Sequence, residues 1–249
     1  MTDIGKQKFV CLDCETTGLD PASDRIIEVA AICFDSSNAY SSFESLVNPE
    51  RSIPEESIVI HHITSKMVSG KPTIKEVLPE FLKFVGNNII MGHGIGFDIE
   101  VIAKSAEREG IPTTIRENRF VDTLRMARIY GESPSNSLEQ LRKHFQIEAE
   151  VAHRAMSDVT VNIEVFKRFM KLYHTVERLF DVLSRPILLK DMPLGKHKGR
   201  SFKEVPIQYL QWAVNKDFDQ DLLYSIKTEL KKRKKGNLFY QEGNPFKDL

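Results

Sequence analysis

The stretch Phe9-Val10-Cys11-Leu12-Asp13-Cys14-Glu15-Thr16-Thr17-Gly18 constrains this chain more than any other. An apolar run leads into two acids one residue apart, and a glycine then turns the chain. Such a run reads as a central β-strand covered on both faces. Side chains alternate along a strand, so Asp13 and Glu15 leave it on the same face, about 7 Å apart along the chain. Two carboxylates that close raise each other's pKa unless something cationic sits between them. A hard divalent metal with oxygen ligands is one answer. One buried acid paired with an arginine, the other at a strand end, is the alternative.

Composition narrows the class. At 249 residues the chain has room for one or two domains with a proper core. It contains no apolar run of the ~18 residues that a membrane span needs. The N-terminal residues lead into the strand without an apolar signal region, so a cytoplasmic protein is expected. The cysteines Cys11, Cys14 and Cys33 sit in apolar strands, and an odd count without metal spacing reads as reduced packing residues. Cys11 and Cys14 resemble a redox pair only on paper, because this spacing on a strand puts them on opposite faces. The zero net charge hides an asymmetry. Residues 1–180 hold 21 Lys/Arg against 26 Asp/Glu, and residues 181–249 hold 14 against 9. An acidic front and a basic tail suit a metal-dependent site joined to a module able to touch phosphate.

Read in order, Arg25 to Phe34 is a second strand too apolar for an edge, and Tyr40 to Val47 a third, giving an antiparallel meander. Asn48-Pro49 and Pro54 mark a long loop that ends in Ile60-His61-His62-Ile63-Thr64. Thr73 to Val85 reads as a helix, and Ile89-Ile90-Met91 as a short buried strand leading to His93-Gly94-Ile95-Gly96-Phe97-Asp98. Asp98 falls in the first turn of the following helix, where the helix dipole alone favours a carboxylate. Arg119-Phe120-Val121 is a further strand, Asp122 and Ser137 cap helices, and a helix near 174–184 closes the domain. His153 and Asp158, were both helical, would point about 140° apart, so His153 is placed on the loop entering the helix and Asp158 on its first turns. Strands first, then alternating helices and strands, predict an α/β fold with a mixed five-stranded sheet.

Collected in order, the chemical residues are Asp13, Glu15, Asp98, His153 and Asp158. Their settings are Asp13-Cys14-Glu15-Thr16-Thr17-Gly18, His93-Gly94-Ile95-Gly96-Phe97-Asp98 and His153-Arg154-Ala155-Met156-Ser157-Asp158. Here the sequence resembles the DEDDh branch of the DnaQ-like 3′→5′ exonucleases, which includes the proofreading epsilon subunit of bacterial replicative polymerase. The secondary matches are Ile60 to Thr64 and Val121 to Leu124, and the resemblance covers about residues 8–175. Two positions depart from the family pattern: Gly94, where many relatives have Asn, and His62, where Gly often stands.

The resemblance implies a ribonuclease H-like fold and phosphodiester hydrolysis with two Mg²⁺ or Mn²⁺. Asp13 would bridge both ions, Glu15 and Asp158 would complete the one carrying the attacking water, and Asp98 would serve the second. His153 would be the general base, and Thr16, Thr17, Gly18, His61 and Phe97 would border the terminal nucleotide. A loop or capping role for His61 competes with that assignment. Nucleoside 5′-monophosphates would be released from single-stranded or frayed 3′ ends, with DNA favoured. A DNA polymerase partner in replication and a free-standing repair enzyme are both compatible. A 3′-trimming ribonuclease and a non-catalytic polymerase-associated binding protein are the alternatives.

Composition shifts at Ser184-Arg185-Pro186. The expected organisation is an exonuclease domain over 1–181, a linker over 182–189, a small basic α+β module over 190–235 and a tail over 236–249. Leu194-Gly195-Lys196-His197-Lys198-Gly199, followed by Tyr209-Leu210-Gln211-Trp212, resembles a module found behind some exonucleases of this family. Gly195 to Ser201 is one residue short of a phosphate loop and carries Arg in place of Lys, so nucleotide binding there is rejected. One reading makes Leu210, Trp212, Leu222, Leu223 and Leu230 a mini-core beneath solvated lysines. The other makes Lys196, Lys198, Arg200 and the run Lys231, Lys232, Arg233, Lys234 and Lys235 a phosphate-contacting surface.

Overall fold

The computed structural model describes residues 2–133, 135–148 and 154–242, with side chains through 234. The chain divides into two compact units, Met1–Leu183 and Ser184–Leu249. Among the described residues no helix is long and apolar enough to cross a membrane.

The first unit is built on a five-stranded sheet. Strands β1 (Phe9–Thr16), β2 (Ile26–Phe34) and β3 (Ala39–Leu46) form the antiparallel meander, and β4 (Ile89–Gly92) and β5 (Phe120–Asp122) add parallel to β1. The resulting order β3-β2-β1-β4-β5 is the mixed, ribonuclease H-like sheet that was expected. Its connecting helices are α1 (Glu55–His61), α2 (Ser65–Val68), α3 (Ile74–Val85), α4 (Gly96–Glu109), α5 (Thr123–Tyr130), α6 (Leu138–His144), α7 (Ala155–Met170) and α8 (Val176–Ser184).

Alternation along β1 splits the core in two. Phe9 and Cys11 face a cluster filled from α5, α6, α7 and α8 by residues such as Met126, Leu141, Phe166 and Leu179. Val10, Leu12 and Cys14 face the opposite cluster, which takes Leu78 and Phe81 from α3 and Ile99 and Ile102 from α4. Cys11 and Cys14 therefore lie on opposite faces, and all three cysteines are free. Burying a Leu, Ile or Phe side chain contributes about 1.5–3 kcal/mol, so these two layers are the main source of order at the sheet.

The expected long loop over 48–64 is corrected: it contains α1. Pro54 stands at the N-cap with Glu55 and Glu56 in the first turn, a favourable charge pattern for a helix start. His62 ends the helix in the left-handed conformation, φ 60°. Asp122 caps α5 by accepting from the Leu124 N–H, and Ser137 caps α6, as their residue types predict.

The second unit consists of 3₁₀ turns at Gly195–His197 and Phe202–Glu204, followed by α9 (Ile207–Ala213) and α10 (Gln220–Glu242). The β part of the expected α+β module is reduced to one bridge, Asp191 to Ser201. Gly195 and Gly199, both at positive φ, turn the intervening segment too tightly for a ladder. Met192, Phe202, Val205, Leu210, Ala213, Leu222 and Ile226 form its core. Within the span expected as a linker, Leu183 is buried in the first unit's core, and the Ile187 and Leu189 amides donate to Asp221 Oδ1 and Ser225 Oγ. Helix α10 continues past the expected boundary at 235.

Candidate active site

The C-terminal ends of β1, β4 and β5 point the same way, and side chains gather at the end of β1. This is the strand at which pairing switches from antiparallel to parallel. Asp13 and Glu15 stand on the face covered by α7, and Asp158 enters from that helix's first turn. One oxygen from each of these three carboxylates lies within 4.8 Å of the others. Pairing of β1 with β2 shifts between Glu15 and Thr16, a bulge that re-aims the strand end at the site.

Asp98 sits in the first turn of α4 and is buried, with its Oδ1 accepting the Cys14 N–H at 2.9 Å. It is thus tied to the backbone between Asp13 and Glu15. His153 lies outside the described residues.

Electrostatics single out this group. Burial pushes the Asp13 carboxyl well above the usual range, and Asp98, Glu15, Asp158 and Glu28 push it further. Glu15 is raised to about 8 by burial and then by Asp158, Glu28 and Asp98, with Arg154 opposing. Asp98 is raised to about 7, chiefly by burial, against the lowering pull of the Cys14 amide. Acids assembled at such expense, all oxygen donors and convergent within metal-ligand range, fit a hard divalent cation.

The loop after β1 is pinned from within. Thr16 Oγ1 donates to the Gly18 carbonyl at 2.6 Å, Thr17 Oγ1 donates to Asp24 Oδ1 at 2.8 Å, and Ser57 Oγ donates to the Thr17 carbonyl at 2.8 Å. A Cβ on Gly18 would stand 2.5 Å from Asp24 Oδ2. The missing side chain at this glycine is what lets the Asp24 carboxylate pack against the turn. Phe97 is half-buried against the α3–α4 side of the core. His61 is 2% exposed, its Nδ1 accepts the Ile63 N–H at 3.0 Å, and burial lowers its pKa. Its Nε2 is buried as well and has no hydrogen-bond partner.

Both departures from the family pattern fall at positive φ: Gly94 at 74° and His62 at 60°. Gly and Asn are the residues that tolerate this region best, and His is enriched there. The substitutions thus concern backbone conformation rather than chemistry.

Sequence reasoning missed Glu28 and, as its partner, Arg154. Glu28 is fully buried on β2, opposite Glu15 in register. Arg154 Nε donates to both Glu28 oxygens, at 3.2 and 3.1 Å, and the Ala155 N–H donates to Oε2 at 3.0 Å. The pair fixes the start of α7, immediately after His153. An acid within the otherwise apolar run Ile26 to Phe34 was the available signal. Asp122, read as a cap within a secondary family match, also accepts the Gly94 N–H at 2.9 Å and so holds the loop ahead of Asp98.

A ribonuclease H-like sheet with a carboxylate cluster at the end of its central strand defines a nuclease. Comparison with known proteins gives the family. Residues 10–166 match the family model for Exonuclease (RNase_T), and the chain belongs to that family. It is 35% identical over 168 residues to the DNA polymerase III subunit epsilon of Aquifex aeolicus, covering 66% of this chain and 80% of that protein. It is also 34% identical over 194 residues to the PolC-type DNA polymerase III of Clostridium perfringens, covering 75% of this chain but only 13% of that much longer protein. Among solved structures, a complex of E. coli exonuclease I with single-stranded DNA aligns with a TM-score of 0.63 at 26% identity, over 72% of this chain and 43% of that one. Residues 182–230 separately match the QSregVF_b family, whose description names a quorum-sensing-regulated virulence factor.

Proposed function

We propose that this chain is a 3′→5′ exonuclease that shortens DNA from its 3′ end and releases nucleoside 5′-monophosphates. The observation that carries the reading is the convergence of Asp13, Glu15 and Asp158 within 4.8 Å, beside an Asp98 anchored to the Cys14 amide. Asp13, Glu15, Asp98 and Asp158 would hold two Mg²⁺ or Mn²⁺. Bound there, such ions supply an activated water and neutralise charge on the transferred phosphoryl group. Glu15 and Asp158 would join Asp13 in holding the ion that activates the water, and Asp98 would help to hold the second. His153 takes the proton from the attacking water, a task suited to its near-neutral intrinsic pKa. The Arg154–Glu28 pair holds the chain just beyond it, and the pinned Thr16-Thr17-Gly18 turn borders the terminal nucleotide.

The names of the epsilon and PolC-type relatives, both DNA polymerase III components, favour DNA over RNA and make a polymerase a fitting partner. Three free cysteines suit a reducing, cytoplasmic setting. In the second unit, Lys196, Lys198, Arg200, Lys231, Lys232 and Lys234 expose their side chains and are assigned to phosphate contact. Arg233 is drawn inward, donating to Glu229 Oε1 and to the Phe202 and Lys203 carbonyls, and acts as a clamp. The Lys235 side chain lies outside the described residues.

The test is incubation with 5′-labelled single-stranded DNA, recessed-end duplex DNA and single-stranded RNA in Mg²⁺, Mn²⁺ or EDTA, beside Asp13→Ala. A metal-dependent ladder shortening from the 3′ end of DNA, absent in the variant, is expected. Faster cleavage of RNA would replace the substrate, and binding without cleavage in either metal would overturn the enzyme.

A further inference from the structure

The chain's single tryptophan is not in a core. Trp212 on α9 is 51% exposed, whereas one of the two sequence readings places it in a mini-core with Leu210 and Leu222, which are both buried. It lies beside a pocket of about 550 Å³ lined by Lys196, His197, Pro206, Gln208, Tyr209 and Trp212. That volume lies within the range of sites for small organic groups.

The pocket is built rather than incidental. Gly195 takes φ 73°, and a Cβ there would stand 2.6 Å from the Tyr209 hydroxyl, so only glycine lets the 3₁₀ turn approach α9 this closely. The turn delivers His197 edge-on to Tyr209, with ring centroids 4.6 Å apart, and Tyr209 in turn lies 5.3 Å from Trp212. Lys196 stands 5.3 Å from the Tyr209 ring centre and Lys216 stands 5.1 Å from that of Trp212. His197 is only 9% exposed, yet neither ring nitrogen has a hydrogen-bond partner. Buried polar atoms left unpaired are costly, and the residue that carries them is part of the pocket's lining. The charges acting on His197 are the cations Lys196 and Arg200, and no acid lines the pocket.

Flat aromatic faces, flanking cations and the exposed amide of Gln208 ask for a planar, hydrogen-bonding group carried on an anionic chain. We propose that this pocket holds an unstacked base of single-stranded nucleic acid, with Trp212 as the stacking face, Gln208 meeting the base edge, and Lys196 and Lys216 meeting the adjoining phosphates. Stacking on aromatics is how single strands are gripped without regard to sequence. The choice of nucleic acid as the ligand rests on the exonuclease reading. The pocket extends that reading from a basic surface to a base-binding site.

Because Trp212 is the only tryptophan, its emission reports this pocket alone. The full chain, held in EDTA to prevent cleavage, is titrated with a short single-stranded oligodeoxynucleotide. Saturable quenching is expected. In anisotropy with a labelled strand, Trp212→Ala should bind about tenfold more weakly, while Trp212→Phe keeps most of the affinity. Inorganic polyphosphate should compete without quenching. Emission unchanged while the labelled strand saturates, equal affinity of Trp212→Ala and wild type, or quenching by polyphosphate as strong as by DNA would each overturn the proposal. So would quenching by an acidic peptide and not by DNA, which would assign the pocket to a protein partner. Cleavage is scored separately in Mg²⁺. DNA shortening without quenching sinks the pocket alone, and quenching without shortening sinks the exonuclease reading alone.

Discussion

Replacing Glu15 by Gln should make the metal-free protein more stable at pH 8 and leave it unchanged near pH 4. Glu15 is an acid whose pKa is raised in the folded state, from the ordinary 4.5 to about 8. Folding therefore favours its protonated form. Below pH 4.5 the carboxyl is neutral in both the folded and unfolded chains, and nothing is lost. Between pH 4.5 and 8 the unfolded chain ionises first, so stability falls as pH rises. At about 1.4 kcal/mol per pH unit over this window, the penalty has a ceiling of about 5 kcal/mol. Glu15 keeps partial access to water, which screens its neighbours, so about 2 kcal/mol is the working figure.

In a domain of this size, 2 kcal/mol corresponds to about 4–8 °C in Tm. The assay is thermal unfolding of wild type and Glu15→Gln in EDTA from pH 4 to 8. The Tm curves should coincide at the acid end and diverge by that amount at the alkaline end. Saturating Mg²⁺ should raise wild type more at pH 8 than at pH 5, because the ligands must be ionised to hold it. A Gln variant with no gain at pH 8, or with the same gain at every pH, would refute the idea that the carboxylates strain the empty site.

Glu28→Gln should cost about 2 kcal/mol by weakening charge-assisted bonds to Arg154, and should lower kcat more than it raises KM; calorimetry and steady-state kinetics separate the two effects. Gly18→Ala should cost about 1–3 kcal/mol, because its Cβ meets an Asp24 carboxylate held by Thr17 and by the Asp20 amide; an unchanged Tm would show that Asp24 moves aside freely. Replacing Lys196, Lys198 and Arg200 together by Ala should flatten the salt dependence of single-strand binding by up to about 2 in log–log slope. Arg233→Ala should instead lower the unfolding temperature of the second unit with little change in that slope.

The first unit was legible because its signals were redundant. The burial of β1 and β2, the periodicity of α3 and α7, and side-chain caps at Asp122 and Ser137 all point the same way. Helix α1 escaped because its evidence is local and mixed: a proline start, two acids, and a His rather than a Gly at the left-handed end. The acids of the site could be read as types at a spacing, but the bond from the Cys14 amide to Asp98 joins residues far apart in sequence, and no spacing announces it. The pairing of Glu28 with Arg154 is hidden in the same way, since each residue alone reads as an ordinary charge and only the fold brings them together.

The second unit fails differently. An aromatic at helical spacing in a small domain is expected to be core, because so small a unit has little apolar surface to spare. Here Leu210, Ala213, Leu222 and Ile226 close the core without Trp212. A large apolar ring outside that core, packed beside Tyr209 and Lys216 and lining an open pocket, is placed to serve as the stacking face proposed for it.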